Sequence, residues 1–224
     1  MLLLCLLIRW GQPDYYANGR SKLKPISVQY SRGDKPFKIN GGPSKYTLLD
    51  FWAWAFSDVL TNTTRGMVAE FIVATALGID IQKPRDGWSK FDLIYRNIGI
   101  EVKSSSYHQR WYQKSLSAIS FIVPKRKGWD ETTNKLDIES KRQADVYVLS
   151  LLAEKDRDKV NPLDIDQWQF WIVPTLFFND RKRSQHSISY NSLMKEIGSS
   201  ISYNQIKSAV DSLIDDVNFN KFSE

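Results

Sequence analysis

Three charged side chains interrupt an apolar stretch in the middle of the chain. They are Asp92, Glu101 and Lys103, in the run F-D-L-I-Y-R-N-I-G-I-E-V-K-S-S-S from Phe91 to Ser106. The run reads as two short strands, Phe91 to Tyr95 and Ile98 to about Ser105, with Asn97 and Gly99 as turn residues. Side chains alternate along a strand, so Glu101 and Lys103 point the same way. The loop length decides where Asp92 points. With Arg96-Asn97 as the loop, Tyr95 pairs with Ile98 and Asp92 lies directly opposite Glu101. With Arg96 to Gly99 as the loop, Asp92 lies opposite Lys103 and diagonal to Glu101. A three-residue loop sends Asp92 to the other face. In the first case two carboxylates face each other, which is unfavourable without a cation. Lys103 is one candidate for that cation and a divalent metal another.

A fourth acid precedes these. Arg65 to Leu77 reads as a nearly wholly apolar helix stopped by Gly78, and Glu70 is its one acid. Its helix neighbours are Met67, Val73 and Ala74. A carboxylate there is costly to bury unless it is metal-bound or paired, with Arg65 or a more distant base.

The elements that must position these groups follow the sequence pattern. Tyr46 to Leu60 reads as a helix that Ser44 can cap, its apolar residues serving as core. Thr61 to Thr64 is a polar break. Ser117 to Val123 reads as a strand, Leu136 to Gln143 as a short helix, and Ala144 to Leu152 as a buried parallel strand. Ala153 to Asp166 is a charged loop, Trp168 to Val173 a strand stopped at Pro174, and Tyr190 to Glu196 and Tyr203 to Asp215 are helices. The sum is an α/β domain of α+β character, with helices flanking a central mixed β-sheet. The organisation is a single domain over 1–224: an N-terminal arm to about 44, a core from about 64 to 152, and a C-terminal strand and helices from about 168 to 215.

Composition limits the chemistry. The chain has 224 residues, one cysteine (Cys5) and two histidines (His108 and His186). That excludes an internal disulfide and a cysteine-rich zinc site, leaves little for a histidine-ligated metal, and suits a reducing cytoplasmic setting. The net charge of +6 suits a polyanionic partner. Met1 to Ile8 is apolar but too short to span a bilayer, and it lacks a basic n-region and an obvious cleavage site. It reads as a buried strand or as an upstream translation start.

Gly11 to Ser44 reads as an extended arm. Its basic residues (Arg20, Lys22, Lys24, Arg32, Lys35, Lys38) alternate with Tyr15, Tyr16, Tyr30 and Phe37, a mixture that can track a nucleic-acid backbone or form a plain solvated loop. Tyr107 to Lys114, with Gln109 and Arg110, stands immediately beyond the charged hairpin and could contact a ligand. Two basic clusters follow. Lys125-Arg126-Lys127 sits in a loop from Pro124 to Asn134, and Arg181-Lys182-Arg183 lies further on.

A Glu-x-Lys tripeptide occurs by chance about once in a chain of this length. In its setting here, with an Asp on the preceding strand and an acid on an apolar helix before that, it resembles the PD-(D/E)xK nuclease superfamily, which shares the restriction-endonuclease-like fold. The match is Asp92, then Glu101-Val102-Lys103, with Glu70 in the place of the acid on the preceding helix. It covers roughly Thr64 to Leu152, and Phe91 stands where the family has proline. Glu-Val-Lys-Ser-Ser also looks like the form in resolvase-like members.

The resemblance implies a core of helix, three antiparallel strands, helix and strand. It implies Mg²⁺ or Mn²⁺ held by Asp92, Glu101 and the Val102 carbonyl, with Glu70 on a second metal or a metal-bound water. Lys103 would orient or deprotonate the attacking water, and Ser104 to Ser106 would contact phosphate. The implied activity is metal-dependent hydrolysis of DNA phosphodiesters, in restriction, defence or repair. Double-stranded DNA is the expected partner, with Gln109, Arg110, Lys125, Arg126 and Lys127 as further contacts, no membrane partner, and a homodimer where two strands are cut. Two other readings stay open: an RNA-directed or structure-specific nuclease on the same core, and a non-catalytic nucleic-acid-binding protein that keeps the fold.

Overall fold

The computed structural model describes residues 26–130, 133–182 and 186–221, with 217–221 by backbone only. The apolar start with Cys5, the basic and aromatic residues of the arm from Tyr15 to Lys24, and Arg183 lie outside the described residues.

From residue 26 the arm is not simply extended. β1 (Pro36–Ile39) and β2 (Gly42–Thr47) form an antiparallel hairpin. Asn40 and Gly41, both at positive φ, turn it, and Asn-Gly is the pair that such a turn favours. Helix α1 (Leu48–Phe56) follows directly. Its cap is Thr47 rather than Ser44, because Asp50 stands three residues on and completes a capping box. The Thr47 N–H donates to Asp50 Oδ2 (2.7 Å) and the Asp50 N–H to Thr47 Oγ1 (3.3 Å). Nor is α1 core. None of its residues is buried, and Trp54 is 85% exposed. The capping box and the Lys35 and Gly33 carbonyls, which accept from the Leu48 and Leu49 N–H groups (2.9 and 2.8 Å), close the start of this helix.

Helix α2 (Asn62–Leu77) starts at a Thr61 cap and ends at Gly78, whose φ of 68° is the left-handed conformation a helix C-terminus needs. It leads to β3 (Leu93–Tyr95) and β4 (Ile98–Ser106), an antiparallel pair. β5 (Ser120–Ile122) and a small hairpin of β6 (Trp129–Asp130) and β7 (Lys135–Leu136) come before β8 (Val146–Leu152). β9 (Trp168–Pro174), α3 (Thr175–Asp180), β10 (Ser187–Ser189), α4 (Tyr190–Glu196) and α5 (Ile206–Lys221) complete the chain.

The central sheet is mixed, in the order β3-β4-β8-β9. β4 pairs with β8 in parallel, and the two outer pairs are antiparallel. Two features differ from the implied core. β5 leaves this sheet and pairs with β10, so two antiparallel strands precede the crossover rather than three. Among the described residues, the crossover from Ser106 to Val146 contains no helix. The expected helix over Leu136 to Gln143 is replaced by extended chain, because a bridge between Arg126 and Lys141 fixes that segment to the preceding loop (2.9 and 3.0 Å). Close packing of Gly128 against Asp137 and Gln143 reinforces it.

β8 is buried along its whole length and divides the core in two. Val146, Val148 and Leu152 pack with Ala69, Ile72 and Val73 of α2 and with Ile206, Val210 and Ile214 of α5. Tyr147, Leu149 and Leu151 face the other side, against Phe121, Trp171, Phe178, Ile188 and Leu193. Each large apolar side chain so buried contributes about 1.5–3 kcal/mol, which makes β8 the rigid base for the strand beside it. No described helix is long and apolar enough to cross a membrane.

Candidate active site

Tyr95 pairs with Ile98, so the loop between β3 and β4 is the two residues Arg96 and Asn97. Both take positive φ, 48° and 65°, as a tight turn of this kind requires. Arginine is not a favoured residue there, and α5 holds it in place. Arg96 Nη1 donates to Asp211 (3.0 Å) and Nη2 to Asp215 (2.9 Å), while the Tyr95 hydroxyl donates to Asp211 (2.9 Å). Gly99 is not a turn residue. It lies in β4, paired with Ile94, and the Phe91 ring crosses it so closely that a Cβ would come within 2.7 Å of the ring, which is why glycine stands there.

The strand pairing ends at Leu93↔Ile100, and Asp92 lies in a bend just before β3. The Asp92 N–H donates to the carbonyl of Ile100 (3.0 Å), the residue already paired with Leu93, so the ladder does not step on to an Asp92–Glu101 pair. Glu101 and Lys103 share one face of β4, and Asp92 meets that strand through its side chain, at the Val102 backbone between them. The face is that of Tyr147 and Leu149, opposite to Ile100 and Val102, which pack towards α2. Lys103 Nζ donates to Glu101 Oε1, and the Val102 N–H donates to Asp92 Oδ2 (2.8 Å). Burial pushes the Glu101 carboxyl above the usual carboxylate range and Asp92 adds to the rise, while Lys103 and Arg126 oppose it. Tyr147, paired in register with Glu101, is pushed up to about 12 by burial and then by that carboxylate.

The backbone adds a further oxygen. Ile100 directs its carbonyl towards β3, and Val102, two residues on, has the same strand parity. Its N–H already reaches Asp92, so its carbonyl is directed to the same edge, beyond the start of β3. Two carboxylates and a carbonyl are hard oxygen donors of the kind that suit Mg²⁺ or Mn²⁺. Among the described residues no three His, Cys, Asp or Glu side chains are grouped to hold a metal ion. A metal here would rest on Asp92, Glu101 and the Val102 oxygen.

Glu70 stands apart, on the helix that covers the opposite face of the sheet. Its partner is not Arg65, whose guanidinium donates instead to Leu60 O and Asn62 Oδ1. Arg85 grips it, through Nε to Oε2 and through Nη2 to Oε1 (2.9 Å). Arg85 also feels the charges of Asp92 and Asp86.

The remaining candidates divide. Ser105 shares the face of Lys103, Ser104 faces the other way, and Ser106 is buried. Gln109 donates within its own loop, to Ser106 O (3.2 Å) and Ser117 Oγ (3.3 Å). Arg110 pairs with Asp58 (2.8 Å). Of the basic triplet, Arg126 lines a small cavity beside Glu101 and Lys103, whereas Lys125 and Lys127 are exposed outside it. The same cavity is lined by Lys90, Lys141 and Tyr147, none of them singled out from the sequence. Tyr147 could have been found by pairing the buried strand in parallel with the Glu-x-Lys strand. Lys90, Lys141 and Arg85 sit in irregular segments that carry no such signal.

Residues 45–190 match the family model described as bacteriophage T4 endonuclease IV. The matched span runs from the β1–β2 hairpin to the start of α4 and includes every residue of the site. No curated protein and no solved structure matches the chain.

Proposed function

The chain belongs to the bacteriophage T4 endonuclease IV family, and on that premise we propose that it is a metal-dependent endonuclease that hydrolyses phosphodiester bonds in DNA. The observation that carries the reading is the convergence on β4 of Glu101, of Lys103, which donates to it, and of Asp92, whose carboxylate accepts from the Val102 N–H between them. This set of residues resembles that of the PD-(D/E)xK superfamily, on a sheet with two antiparallel strands before the crossover where that fold has three.

Asp92, Glu101 and the Val102 oxygen would hold Mg²⁺ or Mn²⁺, which supplies charge neutralisation at the phosphate and a more acidic water. Asp92 is positioned by the Val102 N–H and by its own N–H to Ile100. Glu101 is held by Lys103 and by the buried wall of β8. Lys103 orients the attacking water and stabilises the charge that develops on the phosphate. Glu70, reached through Arg85, serves a second ion or a metal-bound water.

The test is cleavage of supercoiled plasmid, linear duplex, single-stranded DNA and RNA, with Mg²⁺ or Mn²⁺ and with chelator, by the wild type and Glu101→Ala. Metal-dependent cutting that disappears in the variant supports the reading, and the preferred substrate selects the subclass. Full cutting by Glu101→Ala at matched metal would sink the assignment. Salt-sensitive binding without cutting of any substrate would move the chain to a binding module.

A further inference from the structure

Beside Glu101 and Lys103 the crossover segment closes a cavity of about 50 Å³. At about 10–15 Å³ for each water, that is room for about three to five waters, the scale of one phosphate group and too little for a nucleobase. Its lining is unbalanced. Four cations (Lys90, Lys103, Arg126 and Lys141) stand against one carboxylate, Glu101.

Two of these cations are set side by side by the backbone. Arg126 and Lys141 form an antiparallel bridge with bonds in both directions, 2.9 and 3.0 Å. Residues opposed in this way hold their Cβ atoms about 4.5–5.5 Å apart, and like charges there are destabilising. Lys90 has Asp137 (3.3 Å) and Lys103 has Glu101, but neither Arg126 nor Lys141 has an ion pair among the described residues. The frame around them is fixed. Gln143 Nε2 donates to the Arg126 carbonyl (3.0 Å), and the Asp137 N–H donates to the Gly128 carbonyl (2.7 Å). A pair of cations on a fixed backbone frame, in the field of Glu101 and Asp137 but without an ion pair of its own among the described residues, suits an anion in a space of this size.

Resting on the nuclease reading, we infer that this cavity is a subsite for one backbone phosphate of the nucleic acid, neighbouring the phosphodiester attacked at Asp92 and Glu101, with Arg126 and Lys141 as its ligands. It sets the register of the strand across the hairpin face. It also explains the missing crossover helix: the extended segment delivers two cations that a helix in its place would carry elsewhere.

The experiment is binding of a fluorescent oligodeoxynucleotide in chelator over a series of salt concentrations. Arg126→Ala and Lys141→Ala should each lower affinity several-fold and reduce the slope of log K against log salt by about 0.7–0.9. Arg126→Lys should keep the slope, and Lys195→Ala, on a helix that does not line the cavity, should leave both quantities unchanged. Arg126 and Lys141 are exposed, so the melting temperature should not fall and a folding defect is separable. An unchanged slope in the double variant overturns the subsite. If inorganic phosphate binds the wild type and not the double variant while the oligonucleotide slopes agree, the cavity takes a free anion, and the backbone assignment is overturned. Binding is read without turnover. A reduced slope in a protein that cuts nothing supports the subsite and sinks the nuclease, whereas an unchanged slope in a protein that cuts sinks the subsite alone.

Discussion

Arg85→Ala tests whether Glu70 belongs to the metal site. The Glu70 side chain is 12% exposed and its partner Arg85 44% exposed. Breaking a buried ion pair on one side costs about 3–5 kcal/mol, and an exposed pair is worth about 0–1 kcal/mol. A buried acid with a half-exposed base falls between these, at about 1–2 kcal/mol. In a chain of this size each kcal/mol moves the melting temperature by about 2–4 °C, so the variant should melt about 2–8 °C lower in chelator. The informative step is then to add metal. A divalent ion at a hundred times its Kd stabilises the folded state by about 2.7 kcal/mol. If Glu70 is a ligand, the ion and Arg85 compete for the same carboxylate. Removing Arg85 removes that competitor, so the metal-induced rise should be larger in Arg85→Ala than in the wild type. A thermal melt with Mn²⁺ titrated into both proteins reads this directly. Equal rises would refute the reasoning and leave Glu70–Arg85 as a structural pair.

Asp92→Asn keeps an acceptor for the Val102 N–H, so the protein should fold and melt as the wild type does while cleavage drops at least about 100-fold. Wild-type turnover in that variant at matched metal would remove Asp92 from the chemistry. Gly99→Ala pushes a methyl group into the Phe91 ring. Overpacking of this kind costs about 1–3 kcal/mol, and because Phe91 precedes Asp92, Mn²⁺ affinity should fall with stability. A variant that melts lower but binds Mn²⁺ as tightly as the wild type would show that the ring does not position the acid. Asp211 is held down to about 2 by Lys207 first, then Arg96 and Tyr95. Its folded pKa is depressed, so the stabilisation it gives is present above the ordinary aspartate value and is lost as pH falls from about 4 through about 2. Acid melts of Asp211→Asn should therefore be flatter than those of the wild type over that window, and parallel curves would refute the assignment.

The hairpin was the most legible part of the sequence, because strand alternation puts Glu101 and Lys103 on one face whatever surrounds them. Its loop was not decidable. The two residues at positive φ are Arg96 and Asn97, and an arginine there depends on Asp211 and Asp215, over a hundred residues away. β8 was legible as a buried parallel strand because both its faces are apolar. α1 shows the reverse. Its apolar spacing reads as core, yet a capping box and the Lys35 and Gly33 carbonyls close its start and none of its residues is buried. The crossover failed for a third reason. β5 pairs with β10, a segment 67 residues away along the chain, and the Arg126–Lys141 bridge replaces a helix. Pairings of that range leave no periodicity in the segments that make them.

The two halves of the site make electrostatic sense together rather than singly. At the hairpin, the charge of Asp92 adds to the rise of the Glu101 carboxyl, a crowding eased by the Val102 N–H and by Lys103. On the crossover, Arg126 and Lys141 oppose each other with no ion pair among the described residues. Bringing Arg126 against Glu101 would relieve both at once, but the Glu101 carboxyl is still held above the usual range after Arg126 and Lys103 have acted on it. Burial dominates, so the protein's own cations do not discharge the acid half. A divalent ion on the acids and a phosphate bridging from it to the cations would satisfy each half with the other's ligand. The order of addition then matters. Metal should bind more tightly in the presence of an oligonucleotide, and the oligonucleotide more tightly in the presence of metal by the same factor, since coupling between two ligands is reciprocal. Measuring both affinities with Ca²⁺ or another ion that does not support turnover would expose that coupling, and independent binding of the two would show that the halves do not share a substrate.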